Sequence, residues 1–175
     1  ADHAGTTALA DRHDPMLALA EVIRQARAGA ESHGALATLG KVEVAPNAVN
    51  AIASRVVAWL DARADTEVQV RAVLADVASS GGVAPVEESW TAATEFDAGL
   101  SRRIASAASA ALGGAAVPVL ATGAGHDAGV LARAGVASSM LFVRNPTGVS
   151  HSPAEYAEVG DCEAGVVALA GVLVD

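Results

Sequence analysis

Five side chains in this 175-residue sequence have the types and settings that could do chemistry. His151 lies in Gly148-Val-Ser-His-Ser-Pro-Ala-Glu155, a Gly/Pro/Ser loop between the apolar run 139–143 and a helix-like C-terminus. A histidine in a loop on a rigid scaffold is well placed to meet a ligand; the alternative is a surface turn with an incidental histidine. One imidazole alone is no metal site. His126-Asp127 opens a helix after the Gly-rich stretch 123–125, where free N–H groups attract anions. Neighbours in sequence do not share a helix face, so the two are a poor chelating pair. Asp127 reads as a helix-capping carboxylate, and His126 is open to either role. Arg63 ends a strand on its polar face, and its planar fork suits a carboxylate; the alternative is a surface ion pair with Asp61 or Asp65. Asn50, after the Pro46-Asn47 turn, could bind a ligand or serve the turn. His3 sits beside a glycine and two threonines, and is either functional or simply exposed. His13 and His33 read as solvated.

A serine hydrolase built on Ser150, His151 and Asp127 has the residue types. It lacks the second glycine of the strained nucleophile turn, and adjacent Ser and His rarely reach the needed geometry.

The composition bounds the rest. Apolar residues make up 52% of the chain, aromatics only 3%, and net charge is −9. The core must therefore be Val, Leu, Ile and Ala, and no Lys/Arg cluster invites nucleic acid or an anionic membrane. Cys162 is the only cysteine, so no intramolecular disulfide and no Cys-based zinc site can form, and a reducing, cytoplasmic setting is expected. No apolar run approaches the roughly 20 residues that span a bilayer. The chain opens at Ala1-Asp2-His3 without methionine, and we expect it to be a piece of a longer protein.

Several elements must position these side chains. Asp14-Pro15 starts a helix, with Met16, Leu19, Ala20, Ile23 and Ala26 or Arg27 inward and Gly29 and Gly34 ending it. Residues 37–45 alternate as a strand. Residues 52–63 alternate again, with Val56, Ala58, Leu60 and Ala62 on one face. Arg55, Val57, Trp59, Asp61 and Arg63 form the other face, too polar for a dry core, so it looks at solvent, a partner or substrate. A helix over 65–79 carries Val70, Val73, Leu74 and Val77 on one stripe and stops at Gly81-Gly82. A third alternating segment, 83–94, holds Trp90. With a strand upstream of Ala1 this order completes a ferredoxin-like α+β sandwich. A helix over 97–112 follows, with Leu100, Ile104, Ala107, Ala108 and Ala111 inward. Then come a strand at 117–121, a short helix to Ala134, a strand at 138–144 and a helix from about 154 to 174 with Val166, Leu169 and Leu173 inward. This half reads as α/β with parallel pairing.

Four stretches together are more specific than any one. Ala1-Asp-His-Ala-Gly-Thr-Thr7, Pro46-Asn-Ala-Val-Asn50, Gly123-Ala-Gly-His-Asp-Ala128 and Gly148-Val-Ser-His-Ser-Pro-Ala-Glu155 occur in this order. They resemble the metal-dependent amidohydrolases of the aminoacylase/carboxypeptidase family. The branch resembled is that of N-carbamoyl-L-amino acid hydrolases, allantoate amidohydrolases and β-ureidopropionases.

The resemblance implies a ferredoxin-like lid and dimerisation domain over residues 3–113. The C-terminal part of an α/β metallohydrolase catalytic domain would follow over 114–175. It implies two divalent metal ions (zinc, manganese, cobalt or nickel), of which this chain supplies one ligand, His151. His126 would contact substrate or the developing oxyanion. His3 would reach the neighbouring subunit's site in a homodimer. Asn50 and Arg63 would bind the amide or carboxylate of a small ureido or N-carbamoyl substrate. The family's other metal ligands and its water-activating glutamate lie upstream of the lid, so the 175-residue chain alone is expected not to catalyse. The sequence departs from the family where Ala8-Leu9 follows Thr7 in place of a Pro-Met pair, and at Ala53 where a proline is common. The alternatives are a non-catalytic dimerisation module, or a family aminoacylase or peptidase with another substrate.

Overall fold

Asp14 starts helix α1 (Pro15–His33) as the sequence implies: its carboxylate accepts the Met16 N–H at 2.9 Å, with proline at the first helical position. Gly34 ends it in the left-handed conformation, φ 62°. The computed structural model describes residues 1–81 and 84–174. After α1 come β1 (Leu36–Ala45), β2 (Arg55–Arg63), α2 (Glu67–Gly81), α3 (Ala98–Ala111), α4 (Asp127–Arg133) and α5 (Val159–Val174). No helix among the described residues is long and apolar enough to cross a membrane.

The chain divides into two units, Ala1–Ala93 and Thr94–Asp175. That boundary precedes the residue-113 boundary implied by the resemblance.

In the first unit β1 and β2 pair antiparallel from Leu36↔Arg63 to Ala45↔Arg55, with an irregularity between Leu39 and Lys41. The Val56, Ala58 and Leu60 face meets Pro15, Leu19, Val22 and Val77 of the helices around a cavity of about 190 Å³. The opposite face carries Lys41 stacked 3.8 Å over the Trp59 ring, and the Asp61–Arg63 pair. This is the polar face the alternation implied. Helix α2 buries Val70, Val73 and Val77, as its spacing requires. Its first turn is locked by a capping box, Thr66 N–H to Gln69 Oε1 at 3.0 Å and Gln69 N–H to Thr66 Oγ1 at 3.4 Å. The Gln69 amide then donates to the His33 carbonyl at 2.9 Å, covering a free C-terminal acceptor of α1.

Several expectations need correction. The buried face of α1 is Leu19, Ala26, Gly29 and Ala30, while Met16 and Ile23 are exposed. The reason is close packing of the two helices: a Cβ on Gly29 would lie 2.9 Å from Asp76 Oδ2. Small residues win that seam, and bulkier ones turn outward. His33 is not simply solvated, because its Nε2 lies 2.9 Å from Asp76 Oδ2 across α1 and α2.

The strand expected over 83–94 begins at Val83, outside the described residues. From residue 84 to 94 the chain forms no ladder. Its side chains do not keep a two-residue alternation: Glu87 and Trp90 both meet Arg71 of α2, the ring 4.7 Å from the guanidinium, while Glu88 accepts from Trp59 Nε1 on the sheet's polar face. Pro85 removes one backbone donor from any ladder there.

In the second unit Asp97 caps α3 by accepting the Leu100 N–H at 2.6 Å. Helix α5 packs on α3 through small residues. A Cβ on Gly171 would fall 2.6 Å from the Ala111 Cβ, and Ala168 is buried. Val166, Leu169 and Leu173, expected inward, are exposed, because no bulky side chain fits so narrow a seam. Helix α5 starts at Val159, not near Ala154. The runs 117–121 and 138–144 carry no ladder among the described residues. A strand requires a partner edge, and none of the described strands lies beside them in this unit.

Candidate functional site

The first group of candidate residues is organised by main-chain pairing. His3 bridges Ala51 in antiparallel fashion. The Ala4 N–H donates to the Asn50 carbonyl at 2.9 Å, and the Ile52 N–H to the Asp2 carbonyl at 2.8 Å. His3 and Asn50 therefore sit on adjoining chain segments, both exposed. His3 Nδ1 accepts the Gly5 N–H at 3.0 Å. In the neutral imidazole this leaves the hydrogen on Nε2, so His3 presents a donor outward. Arg12 staples the turn, donating to the Ala4 carbonyl at 2.6 Å and the Thr7 carbonyl at 3.1 Å.

Arg63 is not part of that group. It pairs with Leu36 at one end of the ladder, whereas the 46–54 connection that carries Asn50 leaves the other end at Ala45↔Arg55. Eight residue steps run from Arg55 to Arg63, roughly 26 Å at about 3.3 Å per residue. The guanidinium grips Asp61 with two parallel bonds, Nε to Oδ1 at 2.8 Å and Nη2 to Oδ2 at 2.6 Å. These hydrogen bonds hold the Asp61 carboxyl below the usual carboxylate range and raise Arg63 above its ordinary value. The fork geometry suits a carboxylate, and a side-chain carboxylate now fills it.

In the second unit His126 is the N-cap of α4, but its side chain makes no capping bond. Its carbonyl accepts the Gly129 N–H at 2.9 Å, while its ring lies edge-on to Phe142, centroids 6.1 Å apart at 68°. Asp127, expected as the cap, is instead the first helical residue, where its charge suits the positive end of the helix.

His151 is exposed on a loop tied together by side chains. Asn145 Oδ1 accepts the Thr147 N–H at 3.1 Å, the Thr147 hydroxyl at 2.8 Å and the Gly148 N–H at 3.2 Å. Asn145 Nδ2 donates to the Val149 carbonyl at 2.7 Å. His151 itself has φ 57°, a left-handed conformation that costs a residue with a Cβ about 1–2 kcal/mol. Its N–H donates to Glu155 Oε2 at 3.0 Å. Sequence reasoning passed over Asn145, Glu155, Phe142 and Arg12; the carboxylate four residues beyond His151 was the one available signal. No hydrogen bond among the described residues joins Ser150, His151 and Asp127 into a nucleophilic relay.

The donor set also bears on metal. Among the described residues no three His, Cys, Asp or Glu side chains converge as a metal site. His151 offers one exposed imidazole on a braced loop, so these residues fit one ligand and not a closed centre.

Residues 5–175 match peptidase family M20/M25/M40. The chain is 34% identical over 178 residues to an N-carbamoyl-L-amino acid amidohydrolase of Geobacillus stearothermophilus, covering 97% of this chain and 43% of the relative. It is 30% identical over 181 residues to an allantoate amidohydrolase of Bacillus subtilis, covering 98% of this chain and 44% of the relative. A crystallised amidase of the hydantoinase/carbamoylase family from Burkholderia vietnamiensis superposes with a TM-score of 0.85 at 28% identity, over 98% of this chain and 44% of that one. The chain thus spans less than half the length of these relatives.

Proposed function

The chain belongs to peptidase family M20/M25/M40, and from that premise we propose that it is the lid and the C-terminal catalytic segment of a metal-dependent amidohydrolase. The substrate class is a small ureido compound, an N-carbamoyl-L-amino acid or allantoate, whose non-peptide C–N bond is hydrolysed. The observation that carries this reading is the likeness to relatives named for those substrates, over nearly the whole chain.

The lid extends from residue 3 toward residue 113, and the catalytic segment runs from there to residue 175. His151 would give its imidazole to the metal centre. A bound divalent cation polarises the scissile carbonyl and lowers the pKa of water toward 7. His126 would face the substrate, its ring steadied by Phe142. His3, with Nδ1 held by Gly5, would donate from Nε2 to the developing oxyanion, a contribution of about 3–4 kcal/mol per donor in other enzymes. Asn50 would orient the amide. Arg63 would hold the substrate carboxylate by exchanging it for Asp61, an exposed pair worth at most about 1 kcal/mol.

The ladder supports a homodimer. Arg63 stands at one end and the His3–Asn50 group beyond the other, and a ureido acid is only a few bonds long. Each active site would then take Arg63 from one protomer and His3 and Asn50 from the other. We place the protein in a reducing, cytoplasmic setting, in which an exposed thiol such as Cys162 stays reduced. The 175-residue chain alone would be inactive, since one imidazole does not make a two-metal site.

The test is hydrolysis by the full-length protein that carries this chain, not by the 175 residues alone, of a panel of N-carbamoyl-L-amino acids, allantoate, N-acetyl amino acids and dipeptides, followed by ammonia or amine release. Turnover of a ureido substrate is expected. Turnover confined to N-acetyl amino acids or dipeptides would overturn the substrate assignment, and none on any substrate would favour a non-catalytic dimerisation module.

A further inference from the structure

His151 stands in a conformation its own side chain disfavours, so something must hold it there. Asn145 fixes residues 147–149 on one side of it. On the other side Ser152 fixes 154 and 155, its hydroxyl accepting the Ala154 N–H at 3.2 Å and its carbonyl the Glu155 N–H at 3.0 Å. The Glu155 carboxylate then reaches back across this turn to the His151 N–H at 3.0 Å. An N–H bound to a carboxylate is held more strongly than one bound to a neutral acceptor. Among the described residues Glu155 forms no salt bridge with Lys, Arg or His, and the His151 N–H is the partner the structure gives its carboxylate.

We propose that Glu155 is a positioning residue for His151, clamping the main chain so that the imidazole points outward in one direction. This rests on the reading of His151 as a metal-binding imidazole. Metal-bound histidines are usually aimed by a partner on the second ring nitrogen. The described residues give the His151 ring no such hydrogen bond, and the aim comes from the backbone instead.

The experiment is a Co²⁺ titration of the metal-free intact protein, followed by the visible absorption of the bound ion. Glu155→Ala is expected to weaken Co²⁺ binding about tenfold or more and to shift the band of the saturated protein. Glu155→Gln, which keeps a carbonyl acceptor but loses the charge that strengthens the bond, is expected to fall between wild type and Glu155→Ala in both. A purely structural role would lower the melting temperature of the metal-free protein yet leave the saturated band unmoved, and that result would overturn the proposal. So would equal losses in Glu155→Gln and Glu155→Ala, since a retained carbonyl acceptor would then restore nothing of the clamp. If Glu155→Ala fails to fold, Glu155→Asp, one methylene short of the N–H, is expected to show the same loss, and unchanged binding there would overturn the clamp. His151→Ala separates the two readings. If it binds Co²⁺ as tightly as wild type, the metal role of His151 fails and the clamp with it. If it loses binding while Glu155→Ala does not, the clamp alone fails.

Discussion

His3 and Asn50 lie on two stretches of chain that hydrogen-bond to each other on both sides of the His3–Ala51 bridge, Ala4 N–H to the Asn50 carbonyl at 2.9 Å and Ile52 N–H to the Asp2 carbonyl at 2.8 Å. Neither residue can be displaced without pulling the other. Any ligand that touches both meets a preformed arrangement, which lowers the ordering cost of binding.

Arg12 holds this arrangement from below. Arg12→Ala removes two charged hydrogen bonds to the Ala4 and Thr7 carbonyls. The expected loss is about 1–3 kcal/mol of stability, read by urea denaturation. Arg12→Lys should recover only part of it, because an ammonium lacks the fork that reaches two carbonyls at once.

The Asp61–Arg63 pair gives a pH signature. The folded Asp61 carboxyl lies below its unfolded value, so its stabilisation is fully present above about pH 4 and is lost as pH falls through the lower folded value. Both side chains are about half exposed, 54% and 52%, so screening limits the effect to about 1 kcal/mol or less. Asp61→Asn should be less stable than wild type at pH 7, and the difference should close as the solution is acidified below the carboxylate range. A difference that persists or grows on acidification would contradict the pairing.

Gly171 sets the approach of α5 to α3. In Gly171→Ala the new methyl would stand 2.6 Å from the Ala111 Cβ and 3.3 Å from the Ala107 carbonyl oxygen. Overpacking of this kind costs about 1–3 kcal/mol, against roughly 1 kcal/mol gained in helix propensity. The variant should therefore melt lower. Gly160→Ala, in the same helix with nothing within 4 Å, should melt at or slightly above wild type.

Where the sequence was a good guide, one face of an element alone decided its fate. In the stripe of α2, Val70, Val73 and Val77 are buried and Leu74 is half-buried, and the polar face of β2 carries the Asp61–Arg63 pair and a half-buried Trp59 under Lys41. Reading failed where small residues did the packing. Gly29 and Ala26 in α1, and Ala168 and Gly171 in α5, form the seams, and the larger Met16, Ile23, Leu169 and Leu173 that hydropathy would bury face outward. It failed again at 117–121 and 138–144, where apolar runs have no partner edge among the described strands. The candidate side chains were legible from their motifs. Their supports were less so: the side chains of Asn145 and Arg12 bind backbone groups that carry no sequence signature, and only the carboxylate of Glu155, four residues beyond His151, gave a signal.

The most direct measurement is the metal content and ureido-hydrolase activity of the intact protein with and without His151, after dialysis against chelator and readdition of a divalent metal. Wild type should lose activity on chelation and recover it with metal, while His151→Ala should bind less metal and stay inactive. A His151→Ala protein that keeps the wild-type metal complement and turnover would contradict the assignment of His151 to the metal centre.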